Sequence, residues 1–238
     1  MSRFNLLVIL FFTFFTRSSL FSILPGFSKP LPVIINKQDT LKENQILFNG
    51  RIWRNLYYMV KEDQFLFSKE FLPGSLIING KSFTNIYLKY DIYKDEILTP
   101  VDSGGILQLN KEMVDSFSII FQNKKYQFTK MQEDSLKGSK GYFNVLYKRK
   151  TALYIKYIKK IEKLAVEGQY DKFYQLTRIY FVKDNIVHLI TSKSDLIKVL
   201  IEDKELIKNF IKKNKLKVSE KVPESFIPVI RYYDSISQ

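Results

Sequence analysis

Three features of the sequence predict a β-rich α+β fold: an antiparallel β-meander, arranged as an open barrel or a sandwich, with C-terminal helices packed on it. The first is GKSFTNIYLKYDIYKDEIL, residues 80–98, in which an apolar or aromatic residue stands at nearly every second position. A period of two belongs to a strand with one buried face. The second is a series of short apolar runs separated by tight polar turns, the pattern of consecutive hairpins. The third is a change near Thr191, after which apolar residues recur at helical spacing.

The chain opens with Met1-Ser2-Arg3 and the apolar run FNLLVILFFTFF, Phe4 to Phe15, closed by Arg17. The run suits a signal-peptide core and is shorter than the roughly 20 residues that span a bilayer. Residues 1–22 are therefore expected to be a signal peptide, although Ser18-Ser19-Leu20-Phe21-Ser22 supplies serines without an Ala-x-Ala cleavage pattern. An uncleaved anchor is the alternative. Residues 23–44 carry Pro25, Pro30 and Pro32 and read as an extended lead-in.

Residues 45–132 are expected to form the main meander. Asn49-Gly50 lies between apolar triplets and predicts a hairpin turn, with strands at Leu56–Val60 and Phe65–Phe67. Asn79-Gly80 predicts a second turn, leading into a long strand over Ser82–Tyr93 with Thr84, Ile86, Leu88, Tyr90 and Ile92 on the buried face. Shorter strands follow at Glu96–Leu98, Ile106–Leu109, Ser116–Phe121 and Tyr126–Thr129. Residues 133–141 are polar and mark a boundary. Residues 142–190 then continue the hairpins, in the same domain or a second small one, with strands at Tyr142–Tyr147, Ala152–Tyr157, Ile179–Val182 and Ile186–Ile190.

Residues 191–238 form a basic helical segment. Ser192-Lys193-Ser194-Asp195 has the pattern of a capping box, and Leu196, Ile197 and Leu200 begin an apolar face that Leu206, Ile207, Phe210 and Ile211 continue. A last helix is expected over Glu224–Ser235, with Pro228 in its first turn, where proline is tolerated.

The formal net charge is +14, and it is unevenly placed. Residues 139–238 hold 21 Lys and Arg against 11 Asp and Glu, a net of +10, whereas residues 23–138 hold 15 against 13. Anionic company is thus expected at the C-terminal end, where Lys204, Lys208, Lys212, Lys213, Lys215 and Lys217 are the candidate anion-binding residues. The plainer alternative is a solvated helix face, since Glu202, Asp203 and Glu205 interrupt the field. Export sets nucleic acid aside as a natural partner and leaves an envelope protein, an anionic glycan or a lipid, with no transmembrane span in the mature chain. Cysteine is absent, which excludes disulfides, thiolate metal sites, thiol nucleophiles and a lipidated cysteine.

Asn49-Gly50-Arg51, NGKSFTNIYLKYDIYKDEI, GYFNVLY, RIYFVKDNIVHLI, DKELIKNFIKKNKL and IRYYDSI together resemble a family of exported proteins of Bacteroidota with no assigned activity. The similarity covers most of the chain after residue 22. It implies the periplasm or the outer-membrane periphery, with secretion as the alternative, and brings no site residues with it.

Catalytic signals are sparse. Asp102-Ser103-Gly104 matches the tripeptide of aspartic proteases, which bring two such loops together so that two carboxylates share a proton. Only one copy is present, so Asp102 is the single catalytic candidate and a turn is the plainer reading. His188 is the only histidine; without cysteine or a second histidine it predicts no metal site. Asp91, Asp95 and Glu96 lack calcium-loop spacing and read as a solvated strand end. No phosphate-cradling loop is present, and no cofactor is expected. Three functional readings follow. The preferred one is an exported, non-enzymatic envelope protein that binds a protein or an anionic glycan. The alternatives are a periplasmic carrier of a lipid or acyl chain in a curved sheet, and a carboxylate-dependent hydrolase around Asp102.

Overall fold

The computed structural model describes residues 49–102, 104–131, 139–163 and 170–237. The expected signal peptide, the lead-in and most of the polar segment 133–141 lie outside them. The described residues form an antiparallel meander of eleven strands in one sheet that does not close, with three helices packed on it at the C-terminal end.

The strands are β1 (Gly50–Ile52), β2 (Leu72–Ile78), β3 (Lys81–Asp91), β4 (Glu96–Pro100), β5 (Ile106–Leu109) and β6 (Val114–Phe121), then β7 (Lys124–Met131), β8 (Gly141–Lys148), β9 (Ala152–Glu162), β10 (Lys172–Lys183) and β11 (Ile186–Ile190). Their order across the sheet is β1-β5-β4-β3-β2-β6-β7-β8-β9-β10-β11. β7 pairs directly with β8, so the ladder runs unbroken past the polar segment. Two-residue turns with both residues at positive φ make three of the hairpins: Asn79-Gly80, Gln122-Asn123 and Asp184-Asn185. This backbone matches the twist of the strands it joins.

Three local expectations need correction. Asn49-Gly50 is not a hairpin turn: Gly50 is a strand residue opposite Leu109, and a Cβ there would meet the Gln108 carbonyl oxygen at 2.2 Å. Glycine serves close approach at that position. Leu56–Val60 is not a strand, because the Asn55 side chain accepts the Tyr57 N–H at 2.9 Å and the Val60 N–H donates to the Tyr57 carbonyl at 3.0 Å, turning the chain on itself. Phe65–Phe67 reduces to a single bridge at Phe65, opposite Asp91, and Phe67 has φ +69°.

The long strand follows its expected alternation only in its second half, where Leu88, Tyr90 and Ile92 are buried. Asn85 has φ +55°, and the β2 ladder shifts register there, from Gly74 opposite Ile86 to Leu76 opposite Phe83. The bulge turns Phe83 into the core and leaves Thr84 exposed.

The sheet curls without closing. Residues 61–66 strap the curl: the Leu66 N–H donates to the Tyr90 carbonyl, the Ile92 N–H to the Gln64 carbonyl, and Lys61 bridges Lys172 at the start of β10. The Lys159 N–H of β9 donates directly to the Ile92 carbonyl at 3.2 Å. Inside the curl, Tyr90, Phe117, Phe128 and Tyr142 pack together, with Phe117 and Phe128 stacked 4.6 Å apart and both Tyr90 and Tyr142 edge-on to Phe117.

A second core lies under the helices α1 (Lys193–Val199), α2 (Lys204–Lys213) and α3 (Ile227–Ile236), where Leu196, Ile207, Phe226 and Ile230 meet Leu153, Ile179 and Phe181. Along β9, Leu153 joins this core and Tyr157, four residues on, packs on the first. Even spacing puts both on one face, so curl and helices fill the same side of the sheet. Ser192 caps α1 by accepting the Asp195 N–H, while Asp195 reaches back to the Thr191 N–H, the two halves of the expected box with its return contact one residue earlier.

Candidate functional site

Asp102 is exposed on the turn between β4 and β5, with Val101 donating to the Gly105 carbonyl and Gly104 to that of Val101. Its carboxylate makes no hydrogen bond or ion pair with another described residue, so nothing visible positions it against a second acid. His188 is half-buried in β11, opposite Phe181. Among the described residues no three His, Asp or Glu side chains gather as a metal-binding group.

The acidic cluster differs most from expectation. It is not a solvated strand end, because Asp91 is buried and Asp95 sits inside a polar network. Asp91 accepts the N–H groups of Tyr93 and Lys94, both at 2.9 Å, and so builds the turn from β3 to β4. Burial outweighs these two bonds and raises its carboxyl to about 6.

Asp95, at φ +59° in the same turn, takes the Tyr90 hydroxyl at 2.5 Å and Lys156 at 3.1 Å on one oxygen, and Lys111 at 3.1 Å on the other. Burial works against its ionisation, but Lys156, the Tyr90 hydroxyl and Lys111 prevail and hold the carboxyl below its usual range. Burial also lowers Lys156, against the pull of Asp95, and pushes the Tyr90 phenol well up. Gly141 admits the carboxylate: at φ +98°, its Cβ would lie 1.7 Å from an Asp95 oxygen. The group joins the β3–β4 turn to the β5–β6 loop and to β8 and β9. With both oxygens engaged, it is built as a latch across the curl.

The arrangement open to a partner is at the helical end. Lys204, Lys208, Lys212, Lys213, Lys215 and Lys217 are all exposed. α2 turns Ile207 and Ile211 into the core, which leaves its lysines on the outer side, and Lys212 and Lys213 sit in its last turn, where the helix dipole favours cations. Lys208 pairs with Glu205 at 3.0 Å, whereas among the described residues none of the other five makes an ion pair.

Lys208, Lys212 and Lys215 converge with Lys193 of α1 around a groove of about 370 Å³ floored by Ile197 and Ile211. Lys213 borders a neighbouring depression beside the stacked rings of Phe210 and Tyr232, 4.0 Å apart; Lys204 and Lys217 line neither. Lys193 lies within the basic stretch 193–217 but outside the six lysines singled out from sequence; it belongs to α1, and the α1–α2 packing brings it to the groove.

A separate cleft of about 660 Å³ opens where β9 to β11 meet residues 220–223, with Tyr157, Gln175, Thr177, Arg178 and Lys221 among its lining groups. These residues are spread over more than sixty positions, and no local motif announces them. Among the described residues, no helix is long and apolar enough to cross a membrane. No family model, curated protein or solved structure matches this chain.

Proposed function

We propose that the chain is an exported, non-enzymatic envelope protein whose helical end binds an anionic partner, an acidic polysaccharide before an acidic protein. The observation that carries this reading is the groove between α1 and α2, where Lys193, Lys208, Lys212 and Lys215 surround an aliphatic floor. Lys208 is shared with Glu205, whereas Lys193, Lys212 and Lys215 have no carboxylate partner among the described residues and retain their full attraction for an external anion. The cleft beside β10 adds hydroxyl, amide and guanidinium groups suited to sugar hydroxyls and carboxylates, which favours the glycan. The filled aromatic interior favours a surface role over carriage of an acyl chain, since stacked rings occupy the space a ligand would need. Export rests on the apolar N-terminal run and on the resemblance to the Bacteroidota family.

Calorimetric titration with a polyuronate, at low and at physiological salt, tests the binding. Affinity is expected to fall steeply with salt, and Lys212→Glu with Lys215→Glu is expected to weaken it about tenfold or more at low salt. Binding equal in the variant and the unaltered protein would remove the lysine groove from the account. For export, the N-terminal sequence of protein recovered from fractionated host cells should begin beyond Arg17 in the envelope fraction; an intact Met1 in the cytoplasm would overturn it.

A further inference from the structure

The end of β1 and the chain that leads from it to the strap present apolar side chains to water. Ile52 is 63% exposed, Leu56 74%, Tyr58 77% and Met59 61%, four of eight consecutive residues. Single exposed apolar residues are ordinary, but a contiguous group marks a contact surface.

These side chains are held outward by the loop itself. The Tyr57 ring is edge-on to Tyr93 at 5.0 Å and to Phe173 at 5.7 Å, and the Asn55 and Val60 hydrogen bonds fix the turn on either side of it. A loop fastened at Tyr57 keeps its neighbours pointing away from the core.

The surroundings are cationic. Arg54, Lys61 and Lys94 are exposed, and no Asp or Glu occurs from Asn49 to Lys61. The first carboxylate, Glu62, lies 4.0 Å from Lys172. Tyr170, also exposed, carries Lys61 over its ring at 5.2 Å. A second copy of the chain would fit poorly here, because a two-fold contact sets Arg54, Lys61 and Lys94 against themselves. A bilayer with anionic headgroups satisfies every part. Aliphatic side chains enter the acyl boundary, tyrosines sit at headgroup depth, and cations meet phosphates.

We propose that this loop docks the protein on an anionic lipid bilayer, with Leu56, Tyr58 and Met59 inserted at the boundary between headgroups and acyl chains. The proposal depends on neither the lysine groove nor the export reading.

Trp53 is the only tryptophan in the chain and supplies the probe. The protein is mixed with phosphatidylcholine vesicles, with and without phosphatidylglycerol, and followed by sedimentation and Trp53 emission. Binding to the anionic vesicles with a blue shift of Trp53 is expected. Leu56→Ser, Tyr58→Ser and Met59→Ser combined should lower partitioning about tenfold or more while leaving the thermal melt in place, since these side chains are exposed. Lys212→Glu with Lys215→Glu should leave the Trp53 shift intact, which separates this loop from the groove. Absence of binding to either vesicle, or binding undiminished in the triple variant, would overturn the proposal.

Discussion

Asp91 and Asp95, four residues apart in one turn, respond to pH in opposite directions. The folded-state carboxyl of Asp91 titrates at about 6, above its usual 3.8. The stability it contributes is therefore complete below pH ~4 and is lost as pH rises through 6, up to about 3 kcal/mol by linkage. Asp91→Asn keeps an oxygen for the Tyr93 and Lys94 N–H groups and removes the charge. Urea unfolding between pH 4 and 8 should show that loss in the unaltered protein and a flatter profile in the variant. Asp95, held low, contributes stability above the ordinary carboxylate range and loses it as pH falls through its folded value. Asp95→Asn removes the counter-charge of the buried Lys156 ammonium and leaves it only neutral partners, an amide oxygen, the Lys140 carbonyl and the Phe143 ring, a loss expected to cost about 3 kcal/mol at pH 7 in urea unfolding. Replacing both Asp95 and Lys156 by apolar residues should recover part of it.

At the level of the element, short-range chemistry was readable and long-range contact was not. Asn79-Gly80 announced its turn because only certain residues sit easily at positive φ. Asp184-Asn185 does the same work at φ +49° and +60° with less favourable residues. Asn185→Ala should therefore destabilise the β10–β11 hairpin by about 1 kcal/mol and Asn185→Gly should not, a difference visible in the urea midpoint. Asn49-Gly50 carried the same signal falsely, because glycine there answers the Gln108 carbonyl, some sixty residues away in sequence. The alternation of β3 foretold the buried side of Leu88 and Tyr90 but not the Asn85 bulge, which exists only where β2 is its neighbour. The six candidate lysines were visible as a charge run. Their sorting into those that line the groove and those that do not depends on how α2 lies against α1.

On the scale of the whole molecule, β3 and β9 meet without forming a ladder. They stand five steps apart across the sheet, yet Lys159 of β9 bonds to Ile92, the residue that follows β3, and the Asp95 latch and the 61–66 strap reinforce that meeting. Along the rest of the curl, strand holds strand through repeated bonds; here the grip is a few separate ties. Stress will concentrate on those ties, as it does at the stitched seam of a rolled sheet. The amide hydrogen of Lys159 should exchange with solvent sooner than those in the middle of β6 and β7, and partial opening would begin by β9 lifting from β3 while every hairpin stays intact.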